Sequence, residues 1–216
     1  MKLYSYWRSS ASWRVRIALG YKGIPYEYRA VNLVREGGEQ YAPTYVAEVN
    51  PLSQVPVLEL EGSPPRRIAQ SLAIIEYLEE RYPEPPLLPS DPWLRARARQ
   101  LAEIANAGIQ PFQNTPTLGY VRNVLRGDEK AWLRHFLDRG LRALERTARE
   151  TAGTFLVGGH PTVADVCLIP QLWSARRFEV PLDPFATLVR VEAACNALPA
   201  FAAAHPDRQP DAPKGS

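Results

Sequence analysis

Cysteine is nearly absent from this chain. Only Cys167 and Cys195 occur in 216 residues, both in apolar helical surroundings. No disulfide framework is expected, and a reducing cytoplasm is the expected compartment. The three histidines, His135, His160 and His205, are too scattered to make a metal-ligand spacing, so no metal is expected. No apolar run approaches the roughly 18 residues of a membrane-spanning helix. The N-terminus lacks the long apolar core of a secretory leader. An excess of one charge is missing too: 26 basic and 23 acidic residues leave a net charge of +3. The basic residues are dispersed, which argues against nucleic-acid and membrane partners. Internal repeats and low-complexity segments are also missing. What is present, 45% apolar residues, suffices for one large or two modest packed domains.

The first residues alternate as a strand (1–8), and Trp13, Ile17 and Tyr21 then recur at helical spacing. Gly23 and Pro25 stop that helix. A second strand fits Tyr26 to Leu33, and residues 35–50 read as loop with a short helix. Pro56 belongs at the first residue of the strand Val57 to Leu60, or at an edge, because it removes a ladder donor. After a turn at Gly62 to Pro65 the chain returns as a short strand, Arg66 to Ala69. Ser71 is then expected to cap a helix running to about Tyr82. A strand–helix–strand unit followed by a hairpin predicts a mixed sheet, parallel in its first pair. Prolines 83, 85, 86, 89 and 92 exclude helix and mark a linker. The reading is therefore a first domain over 1–82, a linker over 83–92 and a second domain over 93–216. In the second domain helical patterns occupy about 92–109, 129–151, 162–177 and 186–197, with no convincing strand. The polar, proline-rich tail from Pro206 to Ser216 is expected to pack loosely or fray.

The most informative stretch is the turn between the first strand and the first helix, Ser9-Ser10-Ala11-Ser12. A helix N-terminus presents unpaired N–H groups and the positive end of its dipole, a ready site for an anion, including a thiolate. A thioredoxin-type redox enzyme carries two cysteines, three residues apart, in such a turn. Here those positions are Ser9 and Ser12. The turn can hold another molecule's thiolate but cannot form its own disulfide, and glutathione is the natural candidate. Read blandly, Ser9 and Ser10 are ordinary helix caps.

At this point the residues resemble a family. Tyr4 to Leu19 (YSYWRSSASWRVRIAL), Asn50-Pro51 with Gln54-Val55-Pro56, and Gln70 to Leu78 (QSLAIIEYL) are similar to the cytosolic glutathione transferases. Within them the chain resembles the zeta class, which includes maleylacetoacetate and maleylpyruvate isomerases. Gly108-Ile109-Gln110-Pro111, Gln113-Asn114, Thr162 to Asp165, Arg176-Arg177-Phe178 and Gln209 to Pro213 extend the match over essentially the whole chain. Two departures stand out. Family members usually have cysteine where Ala11 stands, and the turn at 62–67 looks longer than usual.

The resemblance implies an α/β thioredoxin-like domain with a mixed sheet followed by an all-α domain. It implies glutathione as cofactor and a homodimer. Ser9 is the first choice for the catalytic residue, donating its hydroxyl to the glutathione sulfur, with Ser10 second. Without a cysteine at Ala11 the load falls on these serines. Ser9, Ser10, Ala11, Gln40, Gln54, Val55, Pro56, Gln70, Ser71, Gln110 and Asn114 match glutathione or active-site contacts. Of these, Gln70-Ser71 would take the γ-glutamyl end, and Val55 before a cis proline would pair with the cysteinyl backbone. Arg8 and Arg177 are the candidate anchors of a small acidic substrate. Asp165 reads as structural, reaching back to cap its own helix. The implied reaction is isomerisation of a maleyl dicarboxylate in aromatic catabolism. Maleylacetoacetate is the first choice of substrate; maleylpyruvate isomerisation, or glutathione transfer or dehalogenation of small electrophiles such as α-haloacids, is the alternative reaction, and a binding protein without activity is the non-enzymatic one.

Overall fold

The computed structural model describes residues 1–213. Two compact units emerge: residues 1–86 with the chain from Pro199 onward, and Leu87–Leu198.

In the first unit, β1 (Lys2–Ser5), α1 (Ser10–Tyr21) and β2 (Glu27–Ala30) form the strand–helix–strand unit, with β1 and β2 parallel. Two single 3-10 turns and the short α2 (Pro43–Glu48) follow. β3 (Val57–Leu60) and β4 (Arg66–Ala69) make an antiparallel hairpin, and α3 (Ser71–Arg81) completes the series. Because β3 also runs antiparallel to β1, the sheet is mixed, in the order β2-β1-β3-β4. Pro56 stands immediately before β3, where a missing N–H costs no ladder bond. The register sets Glu27, Lys2, Glu59 and Arg67 side by side across all four strands. Charges thus alternate along one row. Lys2 Nζ lies 3.3 Å and Arg67 Nε 2.7 Å from the Glu59 carboxylate. Such pairs favour this register over a slip by one residue, which would turn every side chain to the other face.

Leu3, Val15, Leu19, Leu58, Ile74 and Leu78 are fully buried in this unit. Each contributes about 1.5–3 kcal/mol by leaving water. A separate apolar cluster joins Tyr6, Val31, Tyr45 and Val55, with Tyr4, Trp7, Leu33 and Val49 packed on it. The spacing of Trp13, Ile17 and Tyr21 predicts one buried face for α1. Instead Ser12 through Leu19 are all buried, Arg14 and Arg16 included. Arg16 is tolerated because its guanidinium donates to Ser5 Oγ (3.2 Å), Tyr6 O (3.3 Å), Trp7 O (2.9 Å) and Ala204 O (3.2 Å). Burial nonetheless lowers its pKa to about 10.

The second unit is helical: α4 (Pro92–Gly108), α5 (Gln110–Gln113), α6 (Thr115–Asn123), α7 (Glu129–Ala148), α8 (Val163–Arg177) and α9 (Ala186–Asn196). Asp91 caps α4 by accepting from Leu94 N (2.8 Å), and Asp128 caps α7 by accepting from Lys130 N and Ala131 N. The Glu145 carboxylate of α7 accepts from Thr187 Oγ1 (2.8 Å) and Leu188 N (3.1 Å), fixing the start of α9. Asp165 accepts from Thr162 N (2.7 Å), Thr162 Oγ1 (2.8 Å) and Leu156 N (2.8 Å), so it closes a capping box and also holds the preceding loop. Helix α8 is buried along nearly its whole length, including Pro170 and Gln171.

Close approach explains Gly140 of α7. A Cβ there would lie 2.1 Å from Ile109 Cγ1. Ile109 is itself fully buried and has nowhere to retreat. Gly140→Ala is expected to cost about 1–3 kcal/mol through overpacking, despite alanine's better helix propensity. Thermal denaturation checks this; an unchanged or raised Tm would contradict it.

The last helix, α10 (Pro199–Ala203), belongs to the first unit, where Ala200 Cβ lies 3.6 Å from the position a Cβ on Gly20 would take. The tail departs from the expectation of loose packing. Pro206 is buried, and Gln209 Nε2 donates to Ala203 O (3.0 Å) and His205 O (2.8 Å). Asp211 accepts from Trp7 N (3.0 Å) and from the Tyr28 hydroxyl (2.6 Å). The expectation for residues 214–216 falls outside the described part of the chain.

Candidate active site

The sheet register gathers the candidates of the first unit. Tyr4 of β1 lies opposite Val57 of β3, which lies opposite Ala69 of β4. The chain leaving β1 reaches Ser9, the chain entering β3 brings Val55-Pro56, and the chain leaving β4 brings Gln70-Ser71. Three segments distant in sequence therefore meet at one end of the sheet.

Ser9 is the N-cap of α1. Its Oγ accepts from Ser12 N (3.2 Å), and its own N–H donates to Tyr6 O (3.0 Å). An Oγ that accepts in this way keeps its own proton to donate elsewhere. Capping the helix and donating to an anion are therefore compatible roles. Ser10 is the first residue of the helix and is buried, whereas Ala11 is half-buried. The amides of Ser10 and Ala11 belong to the first turn, whose N–H groups have no partner within the helix.

The Val55–Pro56 peptide is cis. The preceding loop is fixed by two donors to Gln54 O, the Tyr45 hydroxyl at 2.8 Å and Asn50 Nδ2 at 2.9 Å. The Gln54 side chain itself is exposed. Gln40 is buried; its Nε2 donates to Leu33 O (3.4 Å), while its Oε1 has no hydrogen-bond partner among the described residues. A buried carbonyl left without a donor is costly, and a ligand N–H is one way to satisfy it. Gly38 lies against this amide with φ 112°, and a Cβ there would meet Gln40 Nε2 at 2.5 Å.

Gln70 holds a left-handed backbone, φ 72° and ψ 116°, immediately before α3. Such strain in a non-glycine residue persists where the surroundings enforce it and gathers at ligand sites. One expectation is corrected here. Ser71 does not cap α3: it is the first helical residue, Gln70 occupies the cap position, and neither side chain makes a capping bond. The Ser71 hydroxyl instead accepts from Arg14 Nη1 (3.3 Å). Arg14 thus ties the start of α3 to α1 from within the core. Sequence reasoning missed this residue. Its signal was an arginine between Trp13 and Val15 in a helix too apolar to need one.

In the second unit Gln110 and Asn114 lie in one amide network. Gln110 Nε2 donates to Asn114 Oδ1 (2.9 Å), and Gln113 Nε2 donates to Gln110 Oε1 (3.1 Å). Gln171 of α8 is fully buried; it donates to Gln110 Oε1 (3.0 Å) and accepts from Gln113 Nε2 (2.7 Å). Gln171 was also missed, because its partners lie about 60 residues away (58 and 61).

The two candidate arginines are each laid on an aromatic ring. Arg8 is half-buried, with its guanidinium 5.6 Å from the Trp7 ring centre. Arg177 is exposed at the end of α8, 5.0 Å from the Phe178 ring and 5.7 Å from Trp173. A guanidinium is planar and offers N–H donors whose spacing matches a carboxylate. Cys167 and Cys195 are buried, and burial pushes the Cys195 thiol far up, which leaves it unreactive. Among the described residues no group of three or more His, Cys, Asp and Glu could hold a metal, and no helix is long and apolar enough to cross a membrane.

Comparison with known proteins identifies the family. Residues 3–86 match the glutathione S-transferase N-terminal domain, and 130–203 match its C-terminal domain. A probable maleylacetoacetate isomerase 2 of Drosophila melanogaster is 46% identical over 98% of this chain and 90% of its own length. The maleylacetoacetate isomerase of Anaeromyxobacter dehalogenans 2CP-1 has been solved with glutathione bound in the active site. It is 54% identical and superimposes with a TM-score of 0.90 over 98% of this chain and 97% of that one. A second structure of that enzyme holds dicarboxyethyl glutathione and citrate (TM-score 0.89, 54% identity, 98% and 97% covered). A bacterial maleyl pyruvate isomerase, described as a zeta-class transferase, is 43% identical with a TM-score of 0.92 over 99% of this chain and 100% of that one. The chain belongs to the glutathione S-transferase family and, within it, to the zeta-class group of maleylacetoacetate isomerases.

Proposed function

We propose that this protein is a glutathione-dependent cis–trans isomerase of maleylacetoacetate, acting in the breakdown of aromatic compounds such as tyrosine. The observation that carries the reading is the serine turn: a capping hydroxyl with a proton to give, at a helix N-terminus, with no thiol of its own. The adduct in the relative's site supports the substrate class, since dicarboxyethyl glutathione joins glutathione to a two-carboxylate skeleton.

Ser9, Ser10 and Ala11 hold the glutathione sulfur, Val55 pairs with its backbone, and Gln70 and Ser71 take its γ-glutamyl carboxylate. Gln40, Gln54, Gln110 and Asn114 supply further polar contacts, and Pro56 sets the turn that presents Val55. The orphaned Oε1 of Gln40 is what such a ligand would satisfy. When bound, glutathione would supply a thiolate nucleophile for reversible addition to the cis double bond of the substrate. The Ser9 hydroxyl donates to the sulfur and favours its ionised form. Arg8 and Arg177 are the candidate partners of the substrate carboxylates, and a guanidinium there would offset the negative charge that develops on addition. The protein acts as a cytoplasmic homodimer.

Maleylpyruvate, or an α-haloacid that loses halide to the same thiolate, remains the competing substrate. Turnover of maleylacetoacetate, maleylpyruvate and an α-haloacid under one set of conditions decides between them. Maleylacetoacetate is expected to give the highest kcat/KM. A higher kcat/KM for maleylpyruvate would move the enzyme to a related pathway, and faster halide release than isomerisation would overturn the reading.

A further inference from the structure

The sharp turn between β1 and α1 is clamped from two sides, and only one clamp belongs to the local fold. Arg16, on the following helix, donates to Tyr6 O and to Trp7 O. The N–H of the same Trp7 is taken by Asp211, more than two hundred residues away in the chain, at 3.0 Å. The second Asp211 oxygen accepts from the Tyr28 hydroxyl of β2 at 2.6 Å, and so Asp211 is itself anchored to the sheet. Gln209, bonded to Ala203 O and His205 O, fastens the tail on its N-terminal side, and Ala212 N donates to Gln209 O (3.1 Å). Trp7 is thus held through both its N–H and its C=O. It stands two residues before Ser9, whose own N–H donates to Tyr6 O.

We infer that Asp211 is a positioning residue: through the Trp7 peptide it fixes the turn that aims the Ser9 hydroxyl and the first-turn amides. This rests on the reading of the serine turn given above. The physical reason is that a hydroxyl donor stabilises a thiolate only at hydrogen-bond distance and angle. Catalytic groups displaced by about 1 Å lose as much as two orders of magnitude in rate. Arg16 and the Ser9 N–H restrain the carbonyl side of the turn. Without Asp211 the Trp7 N–H loses its acceptor, and the Tyr6–Trp7 peptide is held only through its carbonyl, by Arg16 and the Ser9 N–H.

The test uses the full-length protein with glutathione bound. It measures kcat, KM for glutathione, and the pKa of the bound thiol from its ultraviolet thiolate absorbance. Asp211→Ala is expected to lower kcat about tenfold and raise the bound thiol's pKa by about one unit, a tenfold loss of thiolate below that pKa. KM for glutathione should stay within about twofold. Asp211→Asn should restore most of the activity, because its Oδ1 accepts from Trp7 N–H and its Nδ2 donates to the Tyr28 oxygen. Tyr28→Phe should fall between the two, and with Asp211→Asn it decides the matter if Asp211→Ala does not fold. A normal thiol pKa and kcat in Asp211→Ala, with only a lower Tm, would overturn the inference. Equal losses in Asp211→Asn and Asp211→Ala would also overturn it. Ser9→Ala separates this from the underlying reading: an unshifted thiol pKa in Ser9→Ala defeats the assignment to Ser9, while the Asp211 series still reports on the turn.

Discussion

Replacing Ser9 by alanine is expected to lower kcat/KM for the maleyl substrate by roughly one to two orders of magnitude and to move the acid limb of its pH profile upward by one to two units. A free thiol with a pKa near 8.5 is mostly protonated at pH 7. Lowering that pKa by two units needs about 2.7 kcal/mol, at 1.36 kcal/mol per unit. A hydroxyl donor to a charged acceptor supplies about 1.5–3 kcal/mol, and the end of the α1 dipole adds up to about 1 kcal/mol. Removing the hydroxyl removes the larger share. Activity requires the thiolate, so it falls as pH drops through the bound thiol's pKa, and a higher pKa moves that fall to higher pH. Alanine also deletes the cap of α1, seen in the bond from Ser12 N, at a cost of about 1 kcal/mol of stability. A Ser9→Thr variant keeps both cap and donor and should recover much of the rate. Ser10→Ala should lose less, because Ser10 is already within the helix and caps nothing. A pH profile unchanged in Ser9→Ala but shifted in Ser10→Ala would reverse the assignment.

The second large effect is on stability. Asp165→Ala is expected to cost at least about 3 kcal/mol, lowering Tm by roughly 6–12 °C at about 2–4 °C per kcal/mol. Asp165 is fully buried and satisfies three donors: Thr162 N, Thr162 Oγ1 and Leu156 N. Leaving a buried donor without an acceptor costs about 1–3 kcal/mol each. Asparagine is a poor substitute, because its NH2 would face one of these donors. The same residue imposes a pH dependence. Burial pushes its carboxyl up to about 6, against an ordinary value of 3.8, with the hydrogen bonds opposing. Between those two values the unfolded chain has released the proton and the folded chain has kept it. Stability from this group is therefore fully present below the lower value and is lost as pH rises through about 6. The difference between wild type and Asp165→Ala, followed by denaturant titration from pH 4 to 7, should shrink across that window. A difference that is constant or grows with pH would contradict the assignment.

Much of the fold was legible because its signals are local. Alternation, helical spacing, Pro56 before β3 and the proline run after Tyr82 each act over a few residues. The serine turn was legible for the same reason, as was the capping box at Thr162 and Asp165. What escaped were partnerships made at long range. Arg14 and Arg16 look like solvated charges in the sequence, yet their acceptors are a hydroxyl on α3 and carbonyls of the turn and of Ala204. Gln171 reads as an ordinary helical amide until Gln110 and Gln113 are brought to it. The tail looked loose because proline and polar residues carry no periodic signal, whereas Asp211 finds both its donors in the first 28 residues. The short helices α5 and α6 were hidden by Pro111, Pro116 and Gly119. Both prolines fall in the first turn of their helices, where a missing N–H costs nothing.

An isomerase of this kind uses glutathione as a nucleophile and returns it after each turnover. This is tested most directly by counting thiol. Wild-type enzyme is mixed with maleylacetoacetate and a small, known amount of glutathione, and free thiol is measured before and after many turnovers of substrate. The expected result is loss of the cis substrate, a matching gain of the trans isomer, no change in free thiol and no reaction when glutathione is omitted. Consumption of one thiol per substrate, or isomerisation that proceeds without glutathione, would contradict the proposed function.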